Sequence, residues 1–162
     1  MADAGGLAII WHSRTGASEA MARAVADGAG DLGLLYAAHD ADGDTLLAAA
    51  GYVFVCPENL GSMSGIMKEM FDRTYYPLLG RIEGRAYATA IAEGSDGQGA
   101  ERQIDRIATG WRLRRVAESL IVNLGAQSPE TILAQKSVSK EDLERCHDLG
   151  KALVEGIRLG IY

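Results

Sequence analysis

Residues 12–18, in which three hydroxyl residues alternate with others and a glycine allows a tight turn, have the composition of a phosphate-binding loop. They lie between a short apolar run and a segment with the amphipathic pattern of a helix. They are therefore expected to join a buried strand to the N-terminus of a helix. The N–H groups and partial positive charge of such a terminus favour an anion, and hydroxyl groups add donors. A plain helix cap beside a glycine turn is the alternative interpretation. The predicted ligand-binding residues are Ser13, Arg14, Thr15, Gly16, Ala17 and Ser18.

A second segment, residues 57–65, follows the clearest strand of the sequence and offers a surface for a flat ring. Pro57 is expected to end that strand. Gly61 and Gly65 expose backbone that a ring can approach closely, and the side chains between them supply polar contacts and apolar cover. The segment also resembles a hydrolase nucleophile elbow, but Met63 stands where that motif requires serine, so a hydrolase is unsupported. The predicted ligand-binding residues are Pro57, Glu58, Asn59, Leu60, Gly61, Ser62 and Met63.

A third segment, residues 93–99, holds three glycines in seven positions and follows another predicted strand. An ordinary flexible connection is the favoured interpretation of this segment alone. Its predicted position beside the other two segments is what makes it a candidate for ligand binding. The candidate residues are Glu93, Gly94, Ser95, Asp96 and Gly97.

Strand-like and helix-like runs alternate along the chain. Short β-branched and aromatic runs bounded by turn residues predict strands, and apolar positions that recur every three or four residues predict helices. We expect residues 44–45 to cap the second helix, Ser139 to cap the last one, and residues 125–138 to form an irregular connection. The predicted strands are residues 7–11, 32–38, 51–56, 85–92 and 115–124, the last one continuous or interrupted. The predicted helices are residues 17–28, 46–50, 62–75 and 100–112, with a final helix whose apolar stripe runs from Leu143 to Ile157.

This alternation predicts an α/β fold, because parallel strands need crossovers and the crossovers here are helical. Right-handed crossovers place helices on both faces of the sheet. We expect a single domain over residues 1–162, built as a doubly wound five-stranded parallel sheet of order 2-1-3-4-5. Ligands of such sheets bind at the carboxyl ends of the strands, where all three candidate segments should meet.

The composition excludes several classes of protein. The chain has 162 residues, of which 48% are apolar, enough for one well-packed domain. Its net charge of −6 argues against nucleic acid as a partner. Two cysteines, Cys56 and Cys146, are too few for a disulfide framework or a four-ligand zinc site. His39 and His147 lack the spacing of metal ligands, so no metal is predicted. No apolar run reaches the ~18 residues of a membrane span, residues 1–6 are unlike a secretory signal, and a cytoplasmic location is expected.

The candidate segments carry a resemblance to a known family. Residues 13–18 fit the phosphate loop of flavodoxins, with a hydroxyl residue, then any residue, Thr-Gly, any residue and a second hydroxyl residue. Residues 57–68, followed by Asp72, resemble the second flavin loop and the next helix of flavodoxin-like reductases, and residues 94–99 are similar to their third loop. The chain thus resembles the flavodoxin-like FMN-binding family, in its NAD(P)H-dependent FMN or quinone reductase branch, over nearly its whole length.

The resemblance implies a flavodoxin-like fold and FMN held without a covalent bond. It assigns residues 13–18 to the ribityl phosphate, residues 57–63 to the isoalloxazine ring and residues 93–97 to the other side of the ring. Electron-carrier flavodoxins usually sandwich the ring between aromatic side chains, but the second and third segments contain no Trp, Tyr or Phe. This departure favours the reductase branch, in which one face of the ring stays open.

Two functions remain open after this resemblance. The first is an FMN-dependent oxidoreductase that passes electrons from NAD(P)H to a quinone, a flavin or a similar small acceptor. The second is a non-catalytic electron carrier or flavin-binding module that needs a reductase as its redox partner protein. No residue of the sequence identifies itself as a general acid or base, and hydride transfer through a flavin need not use one, so no catalytic residue is assigned. A homodimer or homotetramer is compatible with the resemblance.

Overall fold

The structure, a computed structural model, describes residues 5–162, which contain seven strands and six α-helices. Residues 1–4, part of the segment judged unlike a secretory signal, lie outside the described residues. Within residues 5–162 no helix is both long enough and apolar enough to cross a membrane. The strands are β1 (Leu7–Trp11), β2 (Gly33–Ala37), β3 (Gly51–Asn59), β4 (Ser62–Met63), β5 (Ala86–Glu93), β6 (Arg114–Arg115) and β7 (Leu120–Asn123). The helices are α1 (Ala17–Ala29), α2 (Gly43–Ala48), α3 (Gly65–Leu78), α4 (Gln98–Gly110), α5 (Pro129–Leu133) and α6 (Lys140–Arg158), with a 3-10 turn at Gly30–Leu32.

The first four positions of the parallel sheet have the order β2-β1-β3-β5. Ile9 of β1 lies opposite Leu35 of β2 on one side and opposite Val53 of β3 on the other. Both β6 and β7 pair with β5 along its far edge, so these two short strands share the fifth position. The predicted order 2-1-3-4-5 of a flavodoxin-like fold is confirmed, and the last strand has its interrupted form.

Each face of the sheet has its own apolar core, because successive residues of a strand point to opposite faces. In β3, Tyr52 and Phe54 belong to the core that includes residues of α3 and α4. Val53 and Val55, between and after them, belong to the core that includes residues of α1 and α6. All four residues are fully buried. Helices on both faces, as predicted, therefore hold the carboxyl ends of the central strands at one edge of the sheet.

The prediction that β3 ends at Pro57 is wrong. Pro57 continues the strand opposite Ala92 of β5, and the chain then turns back as a hairpin in which Glu58 pairs with Met63 and Asn59 with Ser62. The hairpin uses the two residues at which the next helix was expected to begin. Helix α3 therefore starts later, at Gly65.

Smaller differences from the predicted elements have local causes. Asp42, and not residues 44–45, caps α2, because its Oδ1 atom accepts a hydrogen bond of 2.8 Å from the Thr45 N–H. The connection expected to be irregular contains the short helix α5, whose N-terminus is formed by a reciprocal capping box between Ser128 and Thr131. Helix α6 begins as predicted, with the Ser139 hydroxyl accepting from the Asp142 N–H at 3.1 Å.

Candidate functional site

A cleft of about 310 Å³ lies at the carboxyl edge of the sheet, where β1, β3 and β5 end. All three segments singled out in the sequence contribute to its walls, although they are far apart along the chain. Its volume is within the ordinary range of small-molecule sites. The predicted residues that line it are Ser13, Arg14, Thr15, Ala17, Ser18, Pro57, Glu58, Asn59, Leu60, Gly61, Glu93, Gly94 and Ser95.

Five predicted residues do not line this cleft. Gly16 and Gly97 form the N-caps of α1 and α4, both with positive φ angles that suit glycine. Ser62 and Met63 face α4, where the Ser62 hydroxyl (2.9 Å) and the Met63 N–H (2.8 Å) both donate to one side-chain oxygen of Gln103. Asp96 is exposed. Gly16, Gly97, Ser62 and Met63 therefore hold in place the segments whose neighbouring residues line the cleft.

The first segment forms an anion-binding end of the cleft. Ser13 closes the loop by accepting a hydrogen bond from the Gly16 N–H at 3.0 Å. The first N–H groups of α1 lack partners within the helix, as at any helix N-terminus. Ser18 is 1% exposed and lines the cleft, and its hydroxyl has no hydrogen-bond partner in the described chain. A buried hydroxyl without a hydrogen-bond partner lowers the stability of the folded protein unless a bound ligand supplies that partner.

A wall of the cleft comes from residues 124–136, which the sequence interpretation missed. The Lys136 N–H donates to the Thr15 carbonyl at 2.8 Å, which fastens this segment to the anion-binding loop. Its ammonium group bonds to the carbonyls of Ile132 (2.8 Å) and Ala134 (2.6 Å) and so adds a positive charge beside that loop. The missed lining residues are Ala92, Leu124, Ala126, Ile132 and Lys136. The one sequence pattern that could have indicated structure in this segment is Ser-Pro-x-Thr, which is typical of a helix N-terminus and stands at the start of α5.

Glu58 holds the second segment against α4. Its carboxylate accepts hydrogen bonds from the N–H groups of Gly97 and Ala100, both at 3.0 Å. It therefore satisfies donors at the start of α4 that have no partner within the helix. Beyond it, the hairpin turns through Leu60 and Gly61, which both have positive φ angles, and the Leu60 side chain is fully exposed at the tip. A Cβ atom at Gly99 of α4 would overlap the Gly61 carbonyl oxygen, so the tip is packed closely against this helix.

Glu93 brings a buried carboxyl group to the cleft. The residue is 3% exposed, and its Oε2 atom has no hydrogen-bond partner among residues 5–162. Burial, and next the negative charge of Glu58, raises the pKa of Glu93 above its usual value.

The reactive side chains near the cleft are otherwise occupied or inert. Cys56 is fully buried, and burial raises the pKa of its thiol to about 12, so it is a core residue and not a nucleophile. His12 shares a hydrogen bond of 2.8 Å with the Ser64 hydroxyl. Burial, followed by the charge of His39, lowers the pKa of His12 below its ordinary value. No group of three or more potential metal ligands was found within residues 5–162.

Comparisons with known proteins agree with this fold. A flavodoxin from Aquifex aeolicus (strain VF5) is 29% identical over 168 aligned residues, which cover 96% of this chain and 88% of the relative. A solved flavodoxin from the domain Archaea covers 94% of this chain and 99% of its own, with a TM-score of 0.76 and 17% identity. A flavodoxin, WrbA-like protein from Agrobacterium tumefaciens covers 96% of this chain and 98% of its own, with a TM-score of 0.71 and 24% identity. No family model matches the chain.

These similarities support the flavodoxin-like part of the sequence interpretation. Each of them covers more than nine-tenths of the chain, and most of the proteins found are flavodoxins. They give no specific support to the NAD(P)H-dependent reductase branch that the missing aromatic residues favoured.

Proposed function

We propose that this flavodoxin-like chain binds FMN in the cleft and carries electrons between redox proteins. The observation that carries the proposal is the unpartnered Ser18 hydroxyl, buried at the N-terminus of α1 in a cleft with aliphatic walls. Such a cleft offers donors for a phosphate at one end and apolar contact for a ring at the other. Flavodoxins bind FMN, and the similarity to a flavodoxin over 96% of the chain supports the same ligand here.

The anion-binding end suits the phosphate of FMN. The hydroxyl of Ser18 and the first N–H groups of α1 would hold it, with the hydroxyls of Ser13 and Thr15 beside them. The positive charges of Arg14 and Lys136, both lining residues, would strengthen binding of a dianion. This end therefore favours FMN over riboflavin, which lacks the phosphate.

The other end suits a flat, partly apolar ring. Backbone groups of residues 58–61 and of Gly94 and Ser95 would meet its polar edge, while Leu60 and Ile132 offer aliphatic contact. FMN supplies one- and two-electron transfer, and the protein tunes this chemistry through hydrogen bonds and charge.

An FMN titration of the purified apoprotein tests the proposed ligand. Calorimetry should show saturable binding with a dissociation constant of about 1 µM or below and much weaker binding of riboflavin, because the phosphate contacts are lost. Failure of FMN to bind would overturn the proposed function.

The same loaded protein distinguishes a carrier from a reductase. The reductase alternative is favoured by the aliphatic, rather than aromatic, lining of the cleft. A carrier mixed anaerobically with NADH or NADPH should keep its oxidised spectrum until a flavodoxin reductase is added. Rapid bleaching by NAD(P)H alone, with turnover of a quinone, would instead identify an oxidoreductase.

A further inference from the structure

Glu93 is the last residue of β5 and lines the cleft, yet its side chain is almost closed off from solvent. Only 3% of the residue is exposed, and its Oε2 atom has no partner in the described part of the chain. An ionised carboxylate in such a place loses much of its hydration, and this loss outweighs the stabilising contacts that the backbone N–H groups of Ser95 and Asp96 make with it. A proton on the carboxyl group removes that cost and provides a hydrogen-bond donor.

The acidic neighbours of Glu93 reinforce the neutral form. Glu58 approaches from β3, and Asp96 lies in the loop that follows β5. The carboxylate of Glu58 is already bonded to two N–H groups of α4, so it is not a partner that can take a proton from Glu93 without losing these bonds. Burial first, then Glu58 and Asp96, raise the pKa of Glu93.

The cations of the cleft do not neutralise Glu93. Arg14 is exposed, and the Lys136 ammonium is bonded to the carbonyls of Ile132 and Ala134. The Glu93 side chain is also confined, because a Cβ atom at Gly97 would lie only 2.9 Å from its Cγ atom. Its carboxyl group is therefore held at the cleft in its present environment.

We propose that Glu93 binds FMN as a neutral carboxylic acid whose O–H group keeps its proton and donates a hydrogen bond to an acceptor atom of the flavin. This inference rests on the proposed function. At a pH where Glu93 is ionised in the free protein, FMN binding is accompanied by uptake of one proton from solvent onto the Glu93 carboxylate. No covalent bond of the flavin changes. A neutral Glu93 also avoids placing a second negative charge beside the FMN dianion. Glu93 is thus a specificity residue that makes FMN loading weaker as the pH rises.

The test compares the FMN affinity of the wild type with that of Glu93→Gln by calorimetry from about pH 5 to pH 9, a series that begins just above the ordinary pKa of a glutamate. The glutamine amide is neutral and keeps an N–H donor. Wild-type affinity should fall about tenfold per pH unit above the pKa of Glu93 in the free protein, as expected for uptake of one proton. The affinity of Glu93→Gln should not show this fall. The FMN phosphate titrates near pH 6 in both experiments, so it cancels in the ratio of the two affinities.

Two further variants complete the test. Glu93→Ala removes the donor, so it should bind FMN more weakly than Glu93→Gln at every pH. Glu118→Gln, at an exposed glutamate away from the cleft, should reproduce the wild-type profile. Parallel profiles of wild type and Glu93→Gln would overturn the inference while leaving FMN binding established. Failure of the wild type to bind FMN would overturn the proposed function, and this inference with it.

The apoprotein gives an independent readout. A carboxyl group whose pKa is raised by folding stabilises the folded state fully below its ordinary value near 4.5, and this contribution is lost as the pH rises through the folded-state pKa. The free energy of unfolding of the wild type should therefore fall relative to that of Glu93→Gln over this interval. A constant difference would show that Glu93 does not hold its proton and would overturn the inference.

Discussion

The carboxylate of Glu58, at the end of β3, accepts a hydrogen bond of 3.0 Å from the backbone N–H of Gly97, the N-cap of α4. Residues from the second and third candidate segments are thereby joined directly, 39 positions apart in the sequence. The side chain also bonds to Ala100, so a strand residue takes over the role that a serine or aspartate usually has at a helix start. The walls of the cleft are thus coupled to the integrity of α4.

Removal of this contact should lower stability and ligand affinity together. Glu58→Ala leaves two N–H groups at the start of α4 without their acceptor, and we expect a loss of about 1–2 kcal/mol in the free energy of unfolding. FMN affinity should also fall, because the loop loses its anchor. Urea denaturation and calorimetry measure the two effects, with Glu118→Ala as the surface control. An unchanged midpoint would contradict the capping role.

Gly99→Ala tests the close approach between α4 and the hairpin tip. Alanine should favour the helix by about 1 kcal/mol. Its Cβ atom, however, would overlap the Gly61 carbonyl oxygen, and such overpacking costs about 1–3 kcal/mol. We therefore expect a net loss of stability and weaker FMN binding, whereas Gln98→Ala in the same turn should be neutral. A gain in stability for Gly99→Ala would show that the tip moves away freely.

Ser18→Ala should have opposite effects on stability and on ligand binding. The apoprotein loses a buried hydroxyl that has no hydrogen-bond partner among residues 5–162, so its melting temperature should stay the same or rise slightly. FMN affinity should fall about tenfold or more, as for loss of a hydrogen bond to a charged group, while riboflavin affinity stays constant. Ser137→Ala, at an exposed serine, is the control. An equal loss of affinity for FMN and for riboflavin would show that Ser18 does not contact the phosphate.

Bound FMN should keep much of its fluorescence. Flavin emission is quenched by electron transfer from an aromatic side chain in contact with the ring, and none of the side chains found lining the cleft in residues 5–162 is aromatic. Emission is best measured at a protein concentration that saturates FMN. Leu60→Trp places an indole at the exposed tip of the hairpin and should quench the emission. Strong quenching in the wild type would point to an aromatic contact formed on binding.

His12 should contribute a pH dependence of opposite sign to that of Glu93. Burial lowers the pKa of His12, so the folded state binds fewer protons than the unfolded chain below the ordinary value of 6.5. Its contribution to stability is complete above that value and is lost as the pH falls through the folded-state pKa. Urea unfolding of wild type and His12→Asn at about pH 7 and pH 5 should show the wild type losing more stability. Equal losses of stability in the two proteins would contradict this role of His12.

The sequence predicts those parts of the cleft that depend on local pattern and strand order. Residues 13–18 could be assigned because a strand, a glycine and hydroxyl residues at a helix start are all local signals. Their meeting with residues 57–61 and 93–95 followed from the doubly wound sheet, since the carboxyl ends of its strands share one edge.

Long-range packing decided the remaining features. The continuation of β3 through Pro57 depends on its pairing with Ala92, and no pattern near Pro57 signals it. The bond from Glu58 to α4 joins two segments that sequence periodicity treats separately. The wall formed by residues 124–136 lacks both helical and strand periodicity over most of its length, so only its contact with Thr15 reveals its role.

The contact between Thr15 and Lys136 also determines when the cleft can form during synthesis of the chain. The Thr15 carbonyl receives the Lys136 N–H, so the loop made first is completed by a segment made 121 residues later. Contacts between residues so far apart in the sequence form late in folding, because closing the long intervening loop costs conformational entropy before the contact can stabilise the fold. The ribosome must release most of this chain before the cleft exists in full. Ligand capture therefore follows folding and cannot guide its early steps, and a shortage of ligand should leave a folded apoprotein that accumulates and loads later.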